Sequence, residues 1–281
     1  MHIPKRVWVL TGTMFLTALA LSMVYLYMQL HALPTVPKNA LNPLIVATHP
    51  GTLTLETDVK ATTYRANQEI TVIVSGNSKD SAVGGYDAVI NYDPEMLEFV
   101  RAKNEMDDFD FFVTQKTNQV SLTASLKLSS NAAPLTDAIL ATLSFKTKKE
   151  GATKLSFHYV PDVTTDSNML SDKAKDILGT VQDLELTVGK KITLTLNKPV
   201  VFEDKKYTLI EATIPDAACR DCLSVVRVAI EENGKTDILS YKNGGFDGLV
   251  EREKSIGAMV YRLEDVSTTS VSLIIGKKQN R

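Results

Sequence analysis

From about residue 50 to the C-terminus, apolar and polar residues alternate in short β-branched runs broken by turn residues, and this period of two is the strongest constraint on the chain. It sends successive side chains to opposite faces of an extended strand, a pattern no helix can bury on one side. The clearest runs are 52–57, 69–75, 86–92, 97–101, 119–126, 139–146, 154–160 and 181–188, with almost no amphipathic helical stretch between them. They predict an antiparallel sandwich, with one short helical turn around 171–176. A second set of six runs starts at Lys191, and a boundary near Gly189-Lys190 divides the region into sandwiches at 51–189 and 190–281. Within the second set Asn233-Gly234 tolerates positive φ at both positions and predicts a two-residue hairpin, and 242–245 (KNGG) marks another turn. The expected fold class is all-β, two β-sandwich domains behind one N-terminal helix.

That helix is expected at 7–30, a run of 24 residues without a charged side chain. At 1.5 Å per residue it is about 36 Å long, enough to cross a hydrocarbon core of about 30 Å with some tilt. Trp8, Tyr25 and Tyr27 stand near its ends, where interfacial aromatics are favoured, and Lys5-Arg6 favour a cytoplasmic N-terminus at residues 1–6. Cleavage as a signal peptide after Ala18-Leu19-Ala20 is the competing reading, but the apolar run continues ten residues beyond Ala20 and favours an uncleaved anchor. Either way residues 31–281 are exported. Pro34, Pro37, Pro43 and Pro50 make 31–50 a semi-rigid linker.

Scarcity narrows the chemistry. Of four histidines only His158 lies in the strand-rich region, so His-based relays and His-rich zinc sites lack residues. Carboxylate-based glycoside cleavage is the enzymatic alternative, and a non-enzyme is the favoured reading. With 31 Lys+Arg against 33 Asp+Glu, no excess of positive charge points to nucleic acid. The two cysteines, Cys219 and Cys222, form a CxxC without a βαβ context. Outside the cytoplasm a local disulfide is favoured there over free thiols or a redox or metal role. Oxygen-rich loops at Glu105, Asp107, Asp108 and Asp110, and at Asp162, Asp166 and Asn168, are candidate calcium sites without EF-hand spacing, with solvated acidic loops as the alternative. Tyr86, Phe109, Phe111 and Phe112 are a candidate sugar-stacking platform, with core packing as the alternative.

The stretch 84–99 (GGYDAVINYDPEMLEF) resembles the cohesin domain, in which a strand ending Tyr-Asp-Pro turns into another beginning Leu-Glu. Further matches follow in order at 140–146 (LATLSFK), at Gly151 through Leu155-Ser156-Phe157, and at 166–170 (DSNML), so the resemblance covers about 51–189. It implies a nine-stranded jelly-roll-like sandwich that binds a protein partner on one sheet face, as known cohesins grip calcium-loaded dockerins. It implies a partner contact at Asp87 on the strand before Tyr-Asp-Pro, with Gly85 where several cohesins carry an Asn; Tyr86 and Asn91 of the same strand are further candidate partner-binding residues. The expected protein is a membrane-anchored envelope binding protein with an envelope or secreted protein partner. Polysaccharide is a less favoured partner, and a structural subunit of a membrane complex is the alternative function.

Overall fold

The computed structural model describes residues 49–161, 163, 165–214, 222–244 and 252–278. The expected membrane span at 7–30, most of the linker, Asp162, Cys219 and Gly245 lie outside them. All regular structure among the described residues is β. In chain order the strands are β1 (Gly51–Thr57), β2 (Thr63–Arg65), β3 (Glu69–Asn77), β4 (Ala82–Asn91), β5 (Leu97–Asn104), β6 (Phe109–Lys116), β7 (Gln119–Leu126), β8 (Ala133–Pro134), β9 (Ala138–Thr147) and β10 (Gly151–Phe157). They continue as β11 (Asn168–Ser171), β12 (Leu178–Gln182), β13 (Leu184–Thr195), β14 (Val200–Phe202), β15 (Lys205–Thr213), β16 (Leu223–Glu232), β17 (Lys235–Gly244), β18 (Glu253–Ile256), β19 (Met259–Val266) and β20 (Ser270–Lys277).

In the first sandwich a five-stranded sheet, β12-β1-β3-β9-β5, packs on the run β13-β10-β4-β7-β6. The alternation decides what is buried: Val72 and Val74 from β3, Leu143 and Phe145 from β9, Ile90 from β4 and Leu122 from β7 all point inward at 0% exposure. Each such side chain contributes roughly 1.5–3 kcal/mol by leaving water. Phe145 meets the edges of Tyr92 and Phe99 at ring-centroid distances of 5.4 and 5.6 Å. The turn after Tyr92 closes as its residues dictate, Asp93 Oδ1 accepting Glu95 N–H at 2.8 Å and the Asp93 carbonyl accepting Leu97 N–H at 2.9 Å.

In the second sandwich β14-β15-β16-β17 packs on β18, β19, β20 and the end of β13 around Tyr207, Tyr241 and Tyr261. The Asn233-Gly234 hairpin forms as expected, with φ of 50° and 76° between the paired Glu232 and Lys235. Residues 242–244 do not turn; they extend β17. The segment 171–176 is a tight turn rather than a helical one, Ser171 N–H donating to the Lys175 carbonyl at 2.9 Å and Ala174 at φ 55°.

A strand expected to end at Val188 instead runs on to Thr195 as β13. Its first half pairs with β10 and, in parallel, with β2; its second half pairs with β20. Gly189 permits the passage, because a Cβ there would lie 2.3 Å from the Ile275 carbonyl oxygen. Side chains of the second sandwich then cover the free edge of β2. Glu253 accepts Thr62 N–H at 3.1 Å, Thr63 N–H at 2.9 Å and the Thr62 hydroxyl. Arg262 donates to the Thr63 carbonyl at 2.7 Å and lies 4.7 Å over the Tyr64 ring. These groups stand in for a missing ladder strand. Glu253→Ala leaves two backbone N–H groups without an acceptor and is expected to cost about 1–3 kcal/mol, read as a lower midpoint in thermal unfolding of the full chain.

Candidate protein-binding face

Strand β4 separates its residues cleanly. Tyr86, Ala88 and Ile90 enter the core, while half-buried Asp87 and Asn91 point to the outer face and Val89 between them is itself buried at 9% exposure. Register carries that outer face across two neighbours. Asp87 lies opposite Thr123 of β7, and Thr123 opposite Phe112 of β6; Val89, Ser121 and Thr114 form the next row, and Asn91, Gln119 and Lys116 the one after. Cross-strand neighbours at this spacing touch. The Thr123 hydroxyl donates to Asp87 Oδ1 at 2.6 Å, and Gln119 Nε2 donates to Asn91 Oδ1 at 3.0 Å. The result is a plane of hydroxyl, amide and carboxylate groups with one aromatic, Phe112, standing 63% exposed on the outermost strand. Hydrogen-bonding groups held in fixed rows beside an exposed aromatic anchor are the chemistry of a protein interface.

Three of the residues expected to meet a partner therefore divide. Asp87 and Asn91 lie on this face and Tyr86 does not: it is 1% exposed, packs 6.1 Å from Phe109, and its hydroxyl donates to the Leu140 carbonyl at 3.3 Å. Burial pushes its phenol pKa up. A side chain next to an outward Asp on one strand must point inward, so Tyr86 is a core residue. Alternation likewise dismantles the sugar-stacking platform, since Phe109 is buried and Phe111 packs against the core, while Phe112 alone faces out. Gly85, where several cohesins carry an Asn, is held by packing: a Cβ there would lie 2.8 Å from the Ala124 carbonyl oxygen of β7.

Strand β6 was not among the expected runs. Asp107, Asp108 and Asp110 make its sequence read as an acidic loop, although Phe109 and Phe111 alternate with Asp110 and Phe112 and signal a strand. The acidic residues around it have structural partners. Lys103 Nζ donates to both Glu105 oxygens at 3.0 and 2.8 Å, and with Thr142 holds that carboxyl below its usual range. Ser130 donates to Asp108 Oδ1 at 2.8 Å. Among the described residues no three His, Cys, Asp or Glu side chains converge.

The other candidates fall as follows. Asp162 lies outside the described residues, whereas Asp166 and Asn168 are buried at the start of β11. Asn168 pairs with Asp87 across β4. Cys222 is disulfide-bonded, and the chain's only other cysteine, Cys219, lies outside the described residues. His158 is exposed just beyond β10, its N–H donating to the Val89 carbonyl at 2.7 Å.

Residues 55–188 match the cohesin domain. The matched segment holds β4, β6 and β7 entire, so the outer face lies within it. The chain is also similar in structure to a cohesin of Clostridium acetobutylicum, CaCohA2, at 20% identity and a TM-score of 0.42 over 50% of this chain and 92% of that one. The OlpC cohesin of Clostridium thermocellum, solved in complex with a dockerin, is 14% identical with a TM-score of 0.40, over 50% of this chain and 96% of that one. A cohesin module of a Clostridium perfringens family 33 glycoside hydrolase is 11% identical with a TM-score of 0.41, over 50% of this chain and 98% of that one. No curated protein matches the chain.

The two sides of β4 can be perturbed separately. Tyr86→Phe is expected to lower unfolding stability by about 0.5–1.5 kcal/mol through the lost buried hydrogen bond. It should leave the polar rows of the outer face intact, which a thermal melt and an amide chemical-shift comparison would check together.

Proposed function

We propose that this protein is a membrane-anchored, extracytoplasmic binding protein whose cohesin domain holds a protein partner on the outer face of β4, β7 and β6. The observation that carries the reading is the register that lines up Asp87, Thr123 and Phe112 as one row of carboxylate, hydroxyl and exposed aromatic. Cohesin domains are non-catalytic scaffolding modules that bind dockerin-bearing proteins, and a partner of that kind fits a flat polar face better than it fits a catalytic cleft. Division of the aromatic residues between core and surface argues against polysaccharide as the ligand. The uncharged run 7–30 behind Lys5-Arg6 supports an anchor with its N-terminus in the cytoplasm and the sandwiches outside at the cell envelope.

Two measurements test this. The full chain should remain with the membrane through alkaline carbonate washing, and deletion of 7–30 should release it; release of the intact chain contradicts the anchor. Immobilised in mild detergent, the protein should capture one saturable partner from envelope and secreted fractions. Asp87→Ala and Phe112→Ala should each weaken that capture at least about tenfold, the size of a modest interface hot spot, without moving the melting midpoint. Capture indifferent to both changes refutes the assigned face. Absence of a partner, with the protein instead migrating as a fixed subunit of a large membrane assembly, favours a structural role.

A further inference from the structure

Between β10 and β11 the chain leaves the edge of β4 and returns to it, and Ser167 N–H donating to the His158 carbonyl at 2.8 Å closes the neck of this excursion. Ser167 also ties the neck to β4, its Oγ accepting Val89 N–H at 3.0 Å and donating to the Val89 carbonyl at 3.2 Å. On either side of Ser167 stands a buried oxygen that no donor reaches among the described residues: Oδ1 of Asp166 and Oδ1 of Asn168, in side chains 1% and 5% exposed. Their other polar atoms are occupied. Asp166 Oδ2 accepts Val160 N–H, and Asn168 Nδ2 donates to the Asp166 carbonyl at 3.3 Å.

Leaving a buried acceptor without a donor costs about 1–3 kcal/mol, more for a charged one, and folded proteins rarely do so. Here two occur within three residues, one of them on a carboxylate that has no Lys or Arg ion-pair partner among the described residues. A trapped water would supply hydrogen bonds but no opposite charge. A hard divalent cation supplies what both oxygens lack, and carboxylate, amide carbonyl and main-chain carbonyl oxygens are the ligands calcium takes, six to eight at a time in adaptable geometry. We propose that Asp166 Oδ1 and Asn168 Oδ1 are ligands of a calcium ion at the neck of this loop. Main-chain carbonyls and water complete its shell. Through the pairing of Asn168 with Asp87, the ion sits at the rim of the proposed partner face and stiffens it.

The test is thermal unfolding of the full-length protein in detergent after chelation, titrated with calcium chloride and, as control, magnesium chloride. A saturable rise of about 5–10 °C is expected at hundredfold excess of calcium over its dissociation constant, with magnesium giving less. Asp166→Asn and Asn168→Ala should each remove the calcium-dependent rise, and Asn168→Asp, which keeps an oxygen in place, should retain it. Equal midpoints in calcium and chelator overturn the proposal, as does a rise that survives both Asp166→Asn and Asn168→Ala. Should either of those variants not fold, calorimetric titration of the intact protein and of Asn168→Asp decides: one calcium per chain in both supports the site, and none in either overturns it. No partner protein is present in these measurements, so a negative result leaves partner binding untouched.

Discussion

Strand β13 is the element on which the rest of the architecture depends. Twelve residues of one strand serve two hydrophobic cores, with Leu184 and Leu186 in the first and Ile192 and Leu194 in the second. Backbone hydrogen bonds cannot be abandoned inside a protein, so each half of β13 needs its own ladder partners. It finds them in β10 and β2 on one side of Gly189 and in β20 on the other. The missing side chain at Gly189 lets the Ile275 carbonyl approach at the crossover, and Glu253 and Arg262 finish the short edge of β2 that the crossover leaves uncovered. The two sandwiches are thus joined by backbone pairing rather than by a tether.

The same sheet carries the proposed binding face. From β13 the ladder passes through β10 and β4 to β7 and β6 without interruption, so the rows led by Asp87 and Asn91 are positioned by pairing that reaches back to the joint. Such a face needs little reorganisation to meet a partner, which lowers the ordering cost of association. Ser167 repairs the ladder along the border of β4 where β10 stops and β11 begins.

Much of this was legible before any coordinates. Period-two alternation identified most of the long strands, Asn233-Gly234 announced its hairpin, and the ordered pieces around Tyr92-Asp93-Pro94 pointed to the domain that residues 55–188 match. Where the reading failed, a local signal was outweighed. The aspartates of 107–110 disguise β6: their charge density has the look of a solvated loop, while the strand signal lies in the alternation of Phe109 and Phe111 with Asp110 and Phe112. Tyr86 and Asp87 are neighbours in sequence, but adjacency in a strand means opposite faces, so only Asp87 is available to a partner.

What the amino-acid sequence determined by itself was therefore the extended state of the chain, its turns and the alternation along each strand, since these depend on neighbours within a few residues. Which of the two alternating sets would be buried, which strands would lie side by side, and that β13 would pass unbroken from one core to the next were decided only by the tertiary structure. An isolated alternating strand is indifferent to which face it buries. Only the partners across the sheet, brought together from sequence positions as distant as Asp87, Thr123 and Asn168, break that symmetry and turn separate polar residues into one surface.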